Sequence, residues 1–413
     1  MVFLFAGLLF SCNDNSTNTA TKHTTLDAGM WEAEMLISKE HPDRVLPFQF
    51  SIAYDDKANM LMRFMNGGEE IQIKSITETT DSLIIEMPVF QSVFKAKKIS
   101  NTALNGFWYN LNKKDYAIPF EASVSSTTKN YKNATTNISG NWEVTFDADT
   151  KDAYPAVGIF KQNGNDLEGS FLTETGDYRF LYGKIEGNSF WLATFDGAHA
   201  FLFEADLNDK KEMLGVFYSG KHYESHWKAV YNESIKLTDA NELTHLNTDS
   251  GKPSFSFSNT KGGLTSLEDE VYQNKVVILQ LMGSWCPNCM DETRFYNDLY
   301  KSYHSKGLEI IGLGFEYSRD PEIAMRALQK MGKDLEVPYS ILHAGPASKK
   351  EAAKLFPMLN HVISFPTSIF IDRNGNIRKI HTGFNGPGTG KHYKTYSKET
   401  HLFIQELLEE NAL

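Results

Sequence analysis

Two cysteines separated by two residues are the strongest candidates for chemistry in this 413-residue chain. Cys286 and Cys289 follow soon after the apolar run 276–282, a predicted buried strand, and Pro287 stands where a helix would begin. This placement is typical of a redox-active dithiol. The N–H groups and dipole at a helix start favour a thiolate at Cys286, the predicted nucleophile. Cys289, one turn further on, is then placed to resolve a mixed disulfide formed at Cys286.

Two other roles for the pair fit the sequence less well. A zinc site needs two more ligands, and the chain has no second C-x-x-C. A structural disulfide that closes so small a loop adds little stability and is easily reduced. We therefore expect the Cys286–Cys289 disulfide itself to be the redox group, with no separate cofactor and no metal.

The elements that must position the pair form an alternating pattern after residue 251. Strands are predicted at 276–282, 308–315, 339–342, 367–372 and 376–382, and helices at 286–305, 321–333, 347–359 and 398–410. This order is βαβ, then a helix, a β-hairpin and a last helix, as in thioredoxin-like domains. The sequence thus predicts an α/β thioredoxin-like domain over 251–413.

A proline in this pattern is a second candidate site residue. In the thioredoxin-like arrangement a cis proline at a strand start lies against the C-x-x-C pair and leaves room for a substrate strand. Phe365, Pro366 and Thr367 stand at such a start, and cis bonds are essentially confined to X–Pro. A trans proline that opens an edge strand is the commoner case for any single proline. The position of Pro366 before a hairpin favours the cis form.

An acid and an aromatic residue flank the pair. Glu292 follows Cys289 by three residues, and if buried beneath the dithiol it would exchange a proton with that cysteine. A solvated acid favoured by the helix dipole is an equally simple interpretation. Trp285 is expected to shield one side of the sulfurs.

The preceding part of the chain predicts an all-β region. Short alternating apolar runs between Gly- and Asn-containing turns cover residues 27–235. G-M-W-E at 29–32 returns as G-N-W-E at 140–143, and G-F-W-Y at 106–109 returns as G-V-F-Y at 215–218. Two related antiparallel units, at 27–122 and 138–232, explain these matches. Barrel and sandwich both stay open as their architecture.

Length and charge limit the remaining possibilities. The 413 residues predict two or three domains. A net charge of −11, without a stripe dense in Lys and Arg, argues against a nucleic-acid partner.

The first residues predict an export signal. The apolar stretch 1–12 is too short to cross a bilayer, and it ends in Leu9, Ser11 and Cys12 in the manner of a bacterial lipobox. We expect a lipoprotein signal peptide over 1–12, lipidation of Cys12, and a flexible tether over 13–26. The anchored protein would face the periplasm from either the inner or the outer membrane. An apolar N-terminus with an incidental cysteine is the alternative.

Together these motifs resemble the TlpA/ResA-like branch of membrane-anchored thioredoxin-like proteins. The resemblance covers about two-fifths of the chain and runs through G-K-P at 251–253, W-C-P-N-C at 285–289, Glu292, F-P-T at 365–367 and I-D-R-N-G at 371–375. It implies thiol-disulfide exchange with exported proteins, usually as a disulfide reductase, and a membrane thiol electron donor. A glutamate at the position of Glu292 is a functional acid in that family. The layout is similar to that of lipoproteins from Bacteroidetes-type bacteria.

Two other functions stay open. In the first, the β-region captures a ligand or protein, and the thioredoxin-like domain serves as a redox adaptor. In the second, the protein is a thiol peroxidase, although the W-C-P-N-C arrangement lacks the Arg and Thr/Pro surroundings of a peroxidatic cysteine.

Overall fold

A computed structural model describes residues 25–38, 41, 44–125, 131–247 and 252–410. The predicted signal peptide, Cys12 and most of the predicted tether lie outside these residues. Within the described ranges, no helix is both long enough and apolar enough to cross a membrane. The chain forms an open β-sheet, a closed β-barrel and an α/β domain, which confirms the predicted combination of an all-β region and a thioredoxin-like domain.

The first β-unit is an open, curved sheet, called here the half-barrel. Its strands are β1 (Gly29–Leu36), β2 (Val45–Tyr54), β3 (Met60–Asn66), β4 (Glu69–Gln72), β5 (Ser75–Glu78), β6 (Ser82–Glu86), β7 (Ser92–Ser100), β8 (Ala103–Asn110) and β9 (Ala117–Val124). They are ordered β4-β3-β2-β1-β9-β8-β7-β6-β5, with antiparallel neighbours. Trp31, Ala33 and Met35 of β1 alternate as buried residues, the pattern of a strand with one face on the core.

The second β-unit also places its first strand between its second and its last strand, but it closes into a barrel. Its strands are β10 (Gly140–Phe146), β11 (Tyr154–Asn163), β12 (Asp166–Thr173), β13 (Gly176–Asp177), β14 (Leu181–Glu186), β15 (Ser189–Phe195), β16 (Ala200–Leu207), β17 (Glu212–Ser219) and β18 (Tyr223–Tyr231). The order is β11-β10-β18-β17-β16-β15-β14-β12-β13, and β11 also pairs with β12. That additional pairing closes eight strands and removes their edges.

The repeated residues hold the same positions in both units. The Trp31 indole donates to the Asp27 carbonyl oxygen (3.1 Å), and the Trp142 indole donates to the carbonyl oxygen of Ile138 (2.9 Å). In each case the acceptor is four residues earlier in the chain. Each tryptophan therefore ties the start of its first strand to the segment that precedes it.

The half-barrel core is completed by the outer face of the barrel. Phe195, at the end of β15, lies between the rings of Phe94 and Trp108, at centroid distances of 5.3 and 5.2 Å. Ala193 and Leu202 from β15 and β16 join the same buried cluster. The half-barrel stays open because strands of its neighbour cover the apolar face that closure would otherwise bury.

The C-terminal domain has the predicted thioredoxin-like order. After α1 (Ala240–Leu243) come β19 (Ser256–Ser258), β20 (Leu264–Ser266), β21 (Val276–Met282), α2 (Pro287–Tyr303), β22 (Leu308–Glu316), α3 (Pro321–Asp334), β23 (Ser340–Pro346), α4 (Lys349–Leu355), β24 (Thr367–Ile371), β25 (Ile377–Thr382) and α5 (Lys391–Glu409). The main sheet has the order β23-β22-β21-β24-β25. Strands β21 to β23 are parallel, whereas β24 and β25 run antiparallel.

Two predicted helix boundaries in this domain are wrong. The predicted helix 347–359 ends at Leu355, because Pro357 disfavours helical backbone at the residue before it and has no N–H to donate. The last helix begins at Lys391 instead of 398. Its first turns are rich in polar residues, so the apolar period that marked the helix in the sequence starts later than the helix itself.

Candidate active site

The turn from β21 into α2 positions the cysteine pair. Cys286 is the N-cap of α2, and Pro287 is its first helical residue, where a missing N–H costs no hydrogen bond. A disulfide joins Cys286 to Cys289. The Cys289 N–H donates to Cys286 Sγ (3.2 Å), and the Met290 N–H donates to the Cys286 carbonyl oxygen (3.0 Å). The Cys289 N–H thus points at the sulfur at the helix start, an arrangement that favours a thiolate once the disulfide is reduced.

The loop before β24 lies against the same sulfur. The Phe365–Pro366 peptide bond is cis, as predicted. The Phe365 carbonyl oxygen is 3.4 Å from Cys286 Sγ. Thr367 is fully buried, and its hydroxyl donates to the Ser364 carbonyl oxygen (2.9 Å). The structure therefore brings the candidate residues 365–367 together with the cysteine pair.

Glu292 is fully buried in the interior behind the dithiol. Its carboxylate accepts hydrogen bonds from the Gln280 amide (2.9 Å), the Ser368 hydroxyl (2.9 Å) and the Tyr296 hydroxyl (3.2 Å). Burial raises the pKa of Glu292 to about 7, although the three hydrogen bonds oppose that rise. A carboxyl group with this pKa can accept or release a proton at neutral pH.

Gln280 is a site residue that the sequence reasoning missed. Its amide also donates to the Cys289 carbonyl oxygen (3.4 Å), so it links Glu292 directly to the backbone of the dithiol. The Thr293 hydroxyl in turn donates to the Gln280 side-chain oxygen (3.1 Å). A detectable signal was present, because Gln280 is the one polar residue in the otherwise apolar strand 276–282.

A second buried acid holds the turn that precedes Cys286. The Ser284 N–H and hydroxyl donate to the Glu316 carboxylate at 2.8 and 2.7 Å, and burial raises the pKa of Glu316 to about 7. The Trp285 indole donates to the Phe315 carbonyl oxygen (2.8 Å), and its ring lies 6.0 Å from that of Phe365. Trp285 is thus fixed beside the pair, on the side that faces β22.

The β-region also reaches the cysteine pair, which the sequence did not predict. The Asn288 amide, between the two cysteines, donates to the carbonyl oxygen of Asp177 in the barrel (3.1 Å). Val89 and Phe90 of the half-barrel belong to the same buried cluster as Cys286 and Cys289. In the described ranges, no group of three or more His, Cys, Asp and Glu side chains is arranged to hold a metal ion.

Comparisons with known proteins place the chain among redox enzymes. Residues 247–396 match the family model described as Redoxin. A thiol-disulfide oxidoreductase ResA from Bacillus thuringiensis subsp. konkukian is 31% identical over 147 residues, 36% of this chain and 75% of that protein. A thiol:disulfide interchange protein DsbE from Vibrio cholerae is 29% identical over 116 residues, 28% of this chain and 54% of that protein.

A similar solved structure is a putative thiol:disulfide interchange protein DsbE from Chlorobium tepidum. It has 21% sequence identity and a TM-score of 0.31, and the match covers 40% of this chain and 99% of that one. The fold and the cysteine pair described above define a thioredoxin-like thiol-disulfide oxidoreductase. Within that class, the chain belongs to the ResA family of thiol-disulfide oxidoreductases, which confirms the predicted family and the predicted class of enzyme.

Proposed function

We propose that the protein is a lipid-anchored disulfide reductase of the cell envelope that acts on exported proteins. The observation that carries the proposal is the joint placement of Cys286 at a helix start, Cys289 one turn on, and a buried Glu292 connected to them through Gln280. The dithiol itself is the redox group. A membrane thiol protein returns it to the reduced state after each cycle.

Two exchanges make up the reaction. The Cys286 thiolate attacks one sulfur of the substrate disulfide, forms a mixed disulfide and releases the other substrate sulfur as a thiolate. Cys289 then attacks Cys286 Sγ, which forms the enzyme disulfide and releases the second substrate sulfur. Two electrons pass from the dithiol to the substrate, and the two released sulfurs take up protons.

Glu292 supplies the proton transfer that the second exchange needs. Cys289 must lose its proton before it can attack, and it lies in the buried interior where water is excluded. The ionised Glu292 carboxylate accepts that proton. Gln280, Ser368 and Tyr296 hold the carboxylate in place by the hydrogen bonds described above.

Sequence and redox environment support an envelope location. The lipobox-like residues before Cys12 predict a lipid anchor, and 13–26 predict a tether. An exported protein meets an oxidising compartment, where a chain with one close cysteine pair uses that pair for chemistry and not as a scaffold. The substrates are then disulfide-bearing exported proteins.

Trapping of mixed disulfides tests both the roles of the cysteines and the direction of electron flow. The reduced Cys289→Ser protein, expressed in its natural compartment, is expected to accumulate mixed disulfides with exported proteins because nothing resolves Cys286. A free Cys286 thiol bonds to a partner that brings a disulfide, so an exported substrate captured in this way was attacked in the reducing direction. Non-reducing electrophoresis with mass spectrometry identifies the partners.

Cys286→Ala is the matched control and should trap no partner and reduce no disulfide. Residual disulfide reduction by Cys286→Ala would refute the assignment of the nucleophile. Failure of the reduced Cys289→Ser protein to capture any exported protein would refute the reductase proposal.

A further inference from the structure

The face that bears the dithiol is covered by the N-terminal β-region. Cys286 is only 6% exposed, and both Pro287 and Pro366 are buried, although they stand on the side from which a substrate must approach. Two segments form the cover. One is the half-barrel loop, residues 87–91 between β6 and β7, and the other is the barrel segment, residues 175–179.

The half-barrel loop is fastened to the helix beside the dithiol. The Val89 N–H donates to the Asp334 carboxylate (2.8 Å), and the Lys330 ammonium donates to the Met87 carbonyl oxygen (2.9 Å). Val89 has φ of 65°, which is rare for a β-branched residue and persists only where surrounding contacts hold it. This loop puts the side chains of Val89 and Phe90 into the cluster that contains both cysteines.

The barrel segment runs from the loop before β24, which contains Pro366, to the cysteine pair. The Thr175 carbonyl oxygen accepts a hydrogen bond from the Ser364 hydroxyl (2.7 Å), next to the cis proline. The Asp177 carbonyl oxygen accepts from Asn288, between the cysteines. A Cβ on Gly383 would come within 2.9 Å of the Thr175 carbonyl carbon, so the two backbones touch. The barrel segment thus lies along the edge predicted to receive a substrate strand.

Arg179 joins all three parts of the molecule at the end of this segment. Its guanidinium is 2% exposed and contacts Asp291 of α2 (2.7 Å), Asp196 of the barrel (3.0 Å) and Glu69 of the half-barrel. Separation would leave Arg179 with its two carboxylate partners in the β-region. Asp291 would keep its ion pair with Arg294 (3.1 Å). The link can therefore break without leaving a buried charge unpaired, which is the usual obstacle to opening such an interface.

We propose that the β-region determines which disulfides reach Cys286. With the cover in place, Cys286 Sγ admits a small disulfide. A cavity of about 410 Å³, lined by residues 173–178, reaches Asn288 between the two cysteines. A protein disulfide reaches the sulfur only after the β-region has moved away from the α/β domain. The inference rests on the proposed reductase function, to which it adds a selection by size.

A methyl group added at the interface between the β-region and the α/β domain tests the proposed cover and leaves the dithiol unchanged. Gly388 lies in the turn Pro387–Thr389, and a Cβ there would come within 2.7 Å of the carbonyl carbon and oxygen of Arg179. Gly388→Ala should therefore push the barrel segment outward. Asp334→Ala loosens the half-barrel loop on the opposite side by removing the acceptor of Val89. Gly68→Ala is the matched control, because its Cβ would meet nothing closer than 3.8 Å.

The measurement compares two substrates of different size. Single-turnover rates are taken for the reduced full-length protein with 2-hydroxyethyl disulfide and with insulin. In Asp334→Ala the ratio of insulin rate to small-disulfide rate should rise about tenfold, the effect of losing one charged hydrogen bond on an opening equilibrium. In Gly388→Ala the same ratio should rise because the added methyl group displaces the barrel segment. Gly68→Ala should keep the parent ratio.

The outcomes separate the two proposals. If the ratio of insulin rate to small-disulfide rate is unchanged in a folded Gly388→Ala or Asp334→Ala protein, the proposal that the β-region selects disulfides by size is refuted. A parent protein that reduces neither substrate overturns the reductase function instead.

Alkylation of Cys286 provides a second measurement that needs no turnover. It uses Asp334→Ala, so it can be made even if Gly388→Ala does not fold. In a Cys289→Ser background, a polyethylene-glycol maleimide should label Cys286 about tenfold faster after Asp334→Ala, because the same charged hydrogen bond is lost. Iodoacetamide labelling should change little. Equal gains with both reagents would contradict selection by size.

Discussion

At the scale of residues, burial decides what Glu292 can do. The sequence left two interpretations open, a solvated acid and a buried proton carrier. In the structure the carboxyl is fully buried and accepts three hydrogen bonds, and burial raises its pKa to about 7. Its linker to the dithiol, Gln280, lies in a strand whose other residues are apolar. Geometry and pKa thus both favour the proton carrier.

The pH dependence of the second exchange tests this role. Because the pKa of Glu292 is about 7, the carboxyl is protonated below that pH and becomes able to accept a proton as pH rises through it. The rate of release of reduced substrate should rise across this window. Glu292→Gln should lose the inflection and slow the step about 100-fold, a typical contribution of general acid–base catalysis. Single-turnover rates measured between about pH 5 and about pH 9 provide the check.

Glu316→Gln is the matched control for that experiment. It removes another buried carboxyl with a pKa of about 7, which accepts its hydrogen bonds from Ser284 and not from the three residues that hold Glu292. The inflection should persist in Glu316→Gln. If it disappears there and survives in Glu292→Gln, the proton carrier has been misassigned.

At the scale of elements, the two copies of the repeated β-unit adopt different forms, one an open sheet and the other a closed barrel. The matching tetrapeptides predicted two related units, and both units share the strand order on either side of their first strand. The pairing of β11 with β12 closes the second unit, whereas β15 and β16 of that barrel fill the opening of the first. Closure therefore depends on what covers an apolar face, which short alternating patterns do not specify.

Phe195 should be the main residue that holds the two units together. Its ring is fully buried and contacts the rings of Phe48, Phe64, Phe94 and Trp108. Phe195→Ala should lower the free energy of unfolding by about 3–5 kcal/mol, the usual effect of truncating a buried phenylalanine. Phe107→Ala, at a ring that is 46% exposed, should cost less than about 1 kcal/mol. Denaturant unfolding measures both, and equal effects would contradict this role.

At the scale of the whole molecule, a buried charge cluster unites three parts of the chain. Burial works against the charge of Arg179, but Asp291, Glu69 and Asp196 together raise its pKa well above the ordinary value. Burial alone would raise the pKa of Asp196, yet His199 and Arg179 hold it well below its usual range. Arg179 and Asp196 are therefore charged, and Arg179 binds helix α2 to both β-units.

Arg179→Met should strongly destabilise the full-length protein. Removal of the cation leaves three buried carboxylates facing one another, and breaking a buried ion pair in this way costs about 3–5 kcal/mol. Arg378→Met is the control, since Arg378 pairs with Asp372 and Glu410 at a half-buried surface position worth about 0–1 kcal/mol. Thermal and denaturant unfolding of both variants measure the difference. A loss for Arg179→Met no larger than that for Arg378→Met would contradict the proposed importance of the cluster.

The sequence by itself determined the features that local patterns encode. The predicted strand 276–282 coincides with β21, Cys286 and Pro287 stand at the start of α2, and the bond before Pro366 is cis. These features depend on the period of apolar residues, on proline geometry and on spacing within a few residues. They were sufficient to indicate the thioredoxin-like domain and the class of chemistry.

Only the tertiary structure decided how the β-region meets the dithiol. Arg179 lies 112 residues from Asp291, and Asn288 lies 111 residues from Asp177, yet these pairs are in hydrogen-bond contact. Such contacts leave no period or local spacing in the sequence, because they arise from the packing of separately folded parts. Tertiary packing also determines whether a β-unit closes, where Glu292 is buried and what covers Cys286.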